Sequence, residues 1–287
     1  LTGQVPLPVP AADVPADAPE RLAYQAQTVH FNALRDALIA ADYRIEPVIR
    51  GIVLGPYFRA DAIRSDAAST VAVHQHSGSE RLLTPEMLHR KIEATLGLVW
   101  ERWGHPRLTS RRGDSLAVLY GGIDSDNVIT RIVEPNGLMA SLQQRMAHEM
   151  ACAVTARDFF RAREQRRLFL HVDHEDSLLD EAGSIDPVVR PRVEQTLQHL
   201  FWSLLGLQLD PGDQEIQRVL NLMVEVQSLG RSEYDDRINY SCDLTRHPDT
   251  GEDLPSEDKI TRDPTYMLRT WQAALVYLLT DYRFVYE

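Results

Sequence analysis

The stretch "DPVVRPRVEQTLQHLFWSLLGLQLDPGDQEIQRVLNLMVEVQSLG", residues 186–230, decides the fold class. Twice within it an Asp-Pro pair precedes an apolar series spaced by three and four. After Pro187 the series is Val189, Val193, Leu197, Leu200, Phe201 and Leu204. After Pro211 it is Ile216, Val219, Leu220, Met223 and Val226, ending at Gly230. That period marks one face of an α-helix. Proline suits the first helical position, where its missing N–H would lack a partner anyway. The preceding Asp accepts a hydrogen bond from the exposed amides.

The device recurs along the chain. Thr84-Pro85 leads Leu88, Ile92, Leu96, Val99 and Trp103, and Asp263-Pro264 leads Leu268, Trp271, Leu275, Leu278, Leu279 and Tyr282. A helix from near Pro19 carries Leu22, Ala26, Val29, Leu34, Leu38 and Ala41, and a shorter one carries Val48, Ile49, Ile52 and Val53. Strand signals are confined to "STVAVH" near residue 71 and "SLAVLY" near 117, neither with a hairpin partner. The expected fold is all-α: an irregular multi-helix bundle with long loops and a Pro-rich N-terminal extension. Residues 1–19, with prolines at 6, 8, 10, 15 and 19, are the extended linker. Residues 20–64 form a helical pair. Residues 81–287 form the main body, continuous with the pair.

Composition narrows the function. The 287 residues suffice for one large domain or two small ones. Forty-two acidic against 30 basic residues give a net charge of −12, which repels nucleic-acid phosphates. The basic cluster Arg161, Arg163, Arg166 and Arg167 is expected to satisfy carbonyls at a helix end. Lys91 and Lys259 are the only lysines, which reflects a GC-rich coding sequence and carries no function. Every long apolar run is broken within a turn or two, so no transmembrane segment is expected. No charged and then apolar leader opens the chain; such a leader has been removed, or the chain is part of a longer one. Cys152 and Cys242, the only cysteines, pair in an oxidising compartment or remain buried thiols, and their number leaves both open.

Four stretches invite a chemical reading. "LYGGIDSDNVITRI", residues 119–132, offers Asp124 and Asp126 as Ca²⁺ ligands. An EF-hand loop also needs an oxygen ligand at position 5, Gly at 6 and Glu at 12, where this chain has Val128, Ile129 and Pro135. The simpler account is a Gly121-Gly122 turn, with Asp124 or Asp126 capping a helix through Val128, Ile129 and Ile132. Another helix then runs through Met139, Leu142, Met146, Met150 and Val154, its methionines reading as core. "RMAHEMAC" has the His148-Glu149 pair of a zinc-protease helix but Cys152 where the second His belongs. "LHVDHED" groups His171, Asp173 and His174 with Asp176; with His74 and His76 it is the fullest metal-ligand inventory of the chain, a candidate zinc or iron site. Against it stands a solvated helix–helix connection. Residues 231–262 read as a long acidic loop, solvated or holding a divalent ion or basic partner. No haem-attachment motif, phosphate loop or nucleophile elbow is present.

The phrases "ADYRIEPVIRGIVLGPYFRAD" (41–61), "RLLTPEMLHRKIEATLG" (81–97), "LYGGIDSDNVITRI" with "NGLMASLQQRMAHEMAC", and "DPTYMLRTWQAALVYLLTDYRFVYE" (263–287) together resemble uncharacterised helical domains of large secreted bacterial proteins of the planctomycete cytochrome type. The resemblance is spread over residues 41–287. It implies an exported helical protein, periplasmic or otherwise outside the cytoplasm, working beside c-type haem carriers, with no catalytic residues to carry over. The first expectation is therefore a haem-free structural or binding subunit of a redox assembly, meeting a c-type cytochrome or membrane redox complex through anchors such as Trp100, Trp103 and Tyr120. No cofactor is expected in that reading. The alternatives are a metal-dependent enzyme at His171, Asp173 and His174, and a scaffold stabilised by Ca²⁺.

Overall fold

The computed structural model describes residues 7–55, 82–110, 115–124, 126–132 and 134–286. Among them are seven α-helices and one two-stranded hairpin, an all-α fold with long loops. "STVAVH", His74 and His76 lie outside the described residues. The chain divides into two compact units, the first ending at residue 81 and the second spanning Leu82–Tyr286.

In the first unit α1 (Pro19–Ala40) and α2 (Glu46–Val53) form a pair joined by Asp42 and Tyr43, both in the left-handed region. Gly51 allows the pair to close, because a Cβ there would meet Leu34 Cδ2 at 2.5 Å. The leader is tied to α1: the Arg21 guanidinium donates to the Ala11 and Val14 carbonyls, and the Leu7 amide donates to Gln27 Oε1 at 2.6 Å.

The second unit contains α3 (Pro85–Leu96), α4 (Gly137–Phe160), α5 (Arg190–Leu205), α6 (Gln214–Glu233) and α7 (Met267–Thr280). Helix α7 is the axis. It packs against α4, α5 and α6, and Leu268, Trp271, Ala274, Leu275, Leu278 and Leu279 are buried along it. Met139, Met146 and Met150 of α4 enter the same core. The unit closes on itself where the Leu83 amide donates to the Val285 carbonyl at 2.8 Å.

Helix starts follow the sequence motifs with one consistent offset. Thr84 caps α3 directly, its hydroxyl accepting from the Met87 amide. The Asp-Pro pairs instead make a separate turn before the helix. Asp210 accepts from the Asp213 amide, and Asp213 then caps α6. The Asp263 carbonyl accepts likewise from Tyr266 and α7 begins at Met267, but the Asp263 carboxylate also takes the Leu268 and Arg269 amides of the first helical turn, as the sequence motif predicts. Asp186 holds the Val188 and Val189 amides before α5 begins at Arg190. Proline at the second position of a turn accounts for the delay.

Three expectations fail locally. Helix α3 stops at Gly97, which takes φ 73° as a left-handed terminator, so Trp103 does not continue it. Instead Trp103 and Gly104, both at positive φ, form the tip of a hairpin between β1 (Glu101–Arg102) and β2 (His105–Pro106). Residues 126–132 form no helix among the described residues. The Asp124 carboxylate accepts the Asp126, Asn127 and Val128 amides, yet the chain turns back and the Ile132 amide reaches the Gly121 carbonyl. A β-branched series stopped by Pro135 is too short to propagate a helix. The segment after α6 is only partly solvated: most of its acidic residues are exposed, but Ile238, Leu244, Leu254 and Ile260 are buried.

Candidate functional site

Helix α4 turns its Met139, Met146 and Met150 side inward and presents Arg145, His148, Glu149 and Cys152 on another stripe. Those four are spaced by three, one and three, so they lie along one face. Gln272, Ala273, Val276 and Tyr277 of α7 form the facing wall. Glu101 and Arg102 of β1, Leu222 of α6 and Tyr240, Ser241 and Cys242 of the following segment complete a cleft of about 1110 Å³.

Cys152 and Cys242 are joined as a disulfide that forms part of the cleft wall and links α4 to the segment after α6. Ser241 Oγ lies 3.8 Å from each sulfur. With both cysteines paired, neither offers a thiolate, so Cys152 does not complete a zinc site with His148 and Glu149. Glu149 is engaged otherwise: Oε1 accepts from Arg145 Nε and Oε2 from Trp100 Nε1, both at 2.7 Å. Burial opposes its ionisation, but these donors outweigh that and hold the carboxyl below its usual range. On the opposite wall burial raises the Tyr277 pKa above the usual phenol range, helped by Glu215, whose carboxylate accepts a hydrogen bond from its hydroxyl at 3.4 Å.

One lining residue, Tyr240, and one neighbour of the lining, Trp103, are exposed aromatics. Tyr240 is 88 % exposed and Trp103 77 % exposed, and the Arg102 guanidinium stacks 4.1 Å from the Trp103 ring. Trp100 and Tyr120 are core residues instead.

The residues singled out as metal ligands serve as cross-braces. The Asp173 carboxylate accepts from Arg163 and, at 2.8 Å, from Arg166. Burial works against its charge, yet the two arginines hold its pKa below the usual carboxylate range. Asp176 takes both Arg192 nitrogens at 2.9 Å. The His174 ring leans on Phe159, and its carbonyl accepts from Thr265. Among the described residues no three His, Cys, Asp or Glu side chains converge as a metal would require, and this holds for His171, Asp173 and His174 and for Asp124 and Asp126. The nearby arginines do serve helix ends: Arg166 reaches the Phe159 and Arg161 carbonyls at the end of α4, and Arg167 reaches Ala94 near the end of α3.

The sequence reading missed Arg102, Tyr240, Ser241 and Tyr277. One signal was available: the polar stripe at 145, 148, 149 and 152 interrupts an otherwise core-forming helix. The fold and cleft define an all-α protein with a disulfide-walled surface groove. Comparison with protein-family models, curated proteins and solved structures finds no match to this chain.

Proposed function

We propose that the chain is a binding or structural component, exported to an oxidising compartment, that docks in a larger redox assembly beside a c-type cytochrome. The observation that carries the reading is the cleft itself. It is wide and lined by Tyr240 and by Arg102, on which the exposed Trp103 stacks, the residue types that dominate protein-recognition hot spots, and its Arg145 and Glu149 are already paired with each other.

Two further facts support it. Disulfides persist chiefly in secreted and periplasmic proteins, and this one joins residues 90 apart. Both cysteines being committed there, the chain does not attach c-type haem covalently and would depend on a partner for electron transfer. Among the described residues no helix is long and apolar enough to cross a membrane.

The test is mild cross-linking in the native host followed by affinity isolation and haem staining on a denaturing gel, where covalently held haem stays with its polypeptide. The expected result is a haem-staining chain cross-linked to this protein, lost in a Trp103→Ala/Tyr240→Ala double variant. Recovery of the uncross-linked monomer alone overturns the proposal.

A further inference from the structure

We propose that the Cys152–Cys242 bond is an exchangeable disulfide, opened and re-formed by a protein dithiol that enters the cleft. Its placement carries the inference. Both half-buried sulfurs belong to the wall of a cleft of about 1110 Å³, large enough to admit a loop of another protein. A purely bracing bond has no need of that access.

The surroundings suit exchange. Cys152 lies one helical turn after His148, so both face the cleft from the same stripe. The Ser241 hydroxyl donates to Asn239 Oδ1 at 3.0 Å and lies 3.8 Å from both sulfurs, so a rotation about its C–O bond redirects it to whichever becomes a thiolate. The segment bearing Cys242 is also held without the disulfide. Arg161 pairs with Asp249 at 2.9 Å, Arg269 donates to the Asp235 carbonyl at 2.8 Å, and Leu244 and Ile260 are buried. Opening the bond therefore releases the neighbourhood of Tyr240–Cys242 and leaves the rest of the segment anchored. Among the described residues there is no free cysteine, so the two thiols have only each other with which to re-form the bond.

The steps balance. A partner thiol gives its proton to His148, and the thiolate attacks Cys242 Sγ. The bond to Cys152 breaks, its electron pair leaves on Cys152 Sγ, and that sulfur takes the proton from His148 under the Ser241 donor. The partner's second thiol then attacks the partner's first sulfur in the mixed disulfide, and Cys242 leaves as a thiol carrying the proton that the attacking thiol gives up. The partner dithiol is oxidised by two electrons to a disulfide, and this chain is reduced by two.

The experiment uses the folded protein with reduced thioredoxin as probe dithiol, followed by alkylation and mass measurement. Both cysteines are expected to become alkylated without denaturant and with helical circular dichroism retained. Ser241→Ala and His148→Gln are expected to slow opening by at least about tenfold while keeping the wild-type melting temperature. Thioredoxin lacking its second active-site cysteine is expected to be trapped on Cys242. A bond that opens only after denaturation overturns the proposal, as do unchanged rates in both variants. Trapping on Cys152 overturns it as well, because the helical sulfur would then not be the leaving group.

Discussion

Single polar side chains hold this fold at points where loops meet helices. Gln227 is fully buried on α6, and its carboxamide accepts the Leu179 amide at 2.9 Å while donating to the Thr265 carbonyl at 2.7 Å. Leucine fits the volume but strands both groups in a dry interior, each at a cost of about 1–3 kcal/mol. Gln227→Leu is therefore expected to lower unfolding free energy by roughly 3 kcal/mol in a urea titration. A surface residue gives the contrasting case. The Arg131 hydrogen bond is the largest cause of the fall in the Glu86 pKa from its usual 4.5 to about 2. Glu86 is mostly solvent-facing, so the stabilisation is small. The folded state binds protons less readily than the unfolded one, so the contribution is present above about pH 4.5 and fades as pH falls towards 2. Stability curves of the wild type and Glu86→Gln are expected to differ slightly at pH 7 and to converge near pH 2.

At the scale of elements, the Asp-Pro pair before α6 separates turn from cap, whereas Asp263 before α7 serves as both. At α6 the pair at 210 and 211 sets the turn, while Asp213 accepts the Glu215 amide and starts the helix. Asp213→Ala is expected to cost about 1 kcal/mol, and Asp210→Ala less than about 0.5 kcal/mol, measured by thermal unfolding. If the helix began at the proline, the order of those two losses would reverse. The same elements show what a sequence can disclose. The period of Val193, Leu197, Leu200 and Leu204 is set by burial on one side, so it reads directly as a helix. The series Leu88, Ile92 and Leu96 reads equally well, but Gly97 ends it through a left-handed conformation that spacing does not register. Trp103 falls on the helical period by coincidence and stands on a hairpin tip. The stripe of Arg145, His148, Glu149 and Cys152 is local and legible. Its partners Tyr240 and Gln272 are brought opposite by packing across some 90 and more residues, which no local pattern records.

Across the second unit as a whole, the disulfide and the core make separable contributions. Joining residues 90 apart restricts the unfolded chain, and the loop-closure relation assigns such a link about 4–5 kcal/mol, with measured native bonds nearer 2–4. The core does not depend on that link. Trp271, Phe169 and Phe201 are fully buried around α7, and the Asp158 carboxylate independently gathers the Arg167, Leu168 and Phe169 amides at about 3 Å. Replacing both cysteines by alanine is thus expected to leave helical circular dichroism unchanged. A loss of about 3 kcal/mol in a unit of this size lowers the melting temperature by roughly 10 °C. A core that depended on the disulfide would instead lose its helical signal at room temperature. The reduced wild type is expected to melt with the double variant rather than with the oxidised protein, since both lack the same covalent restraint on the unfolded chain.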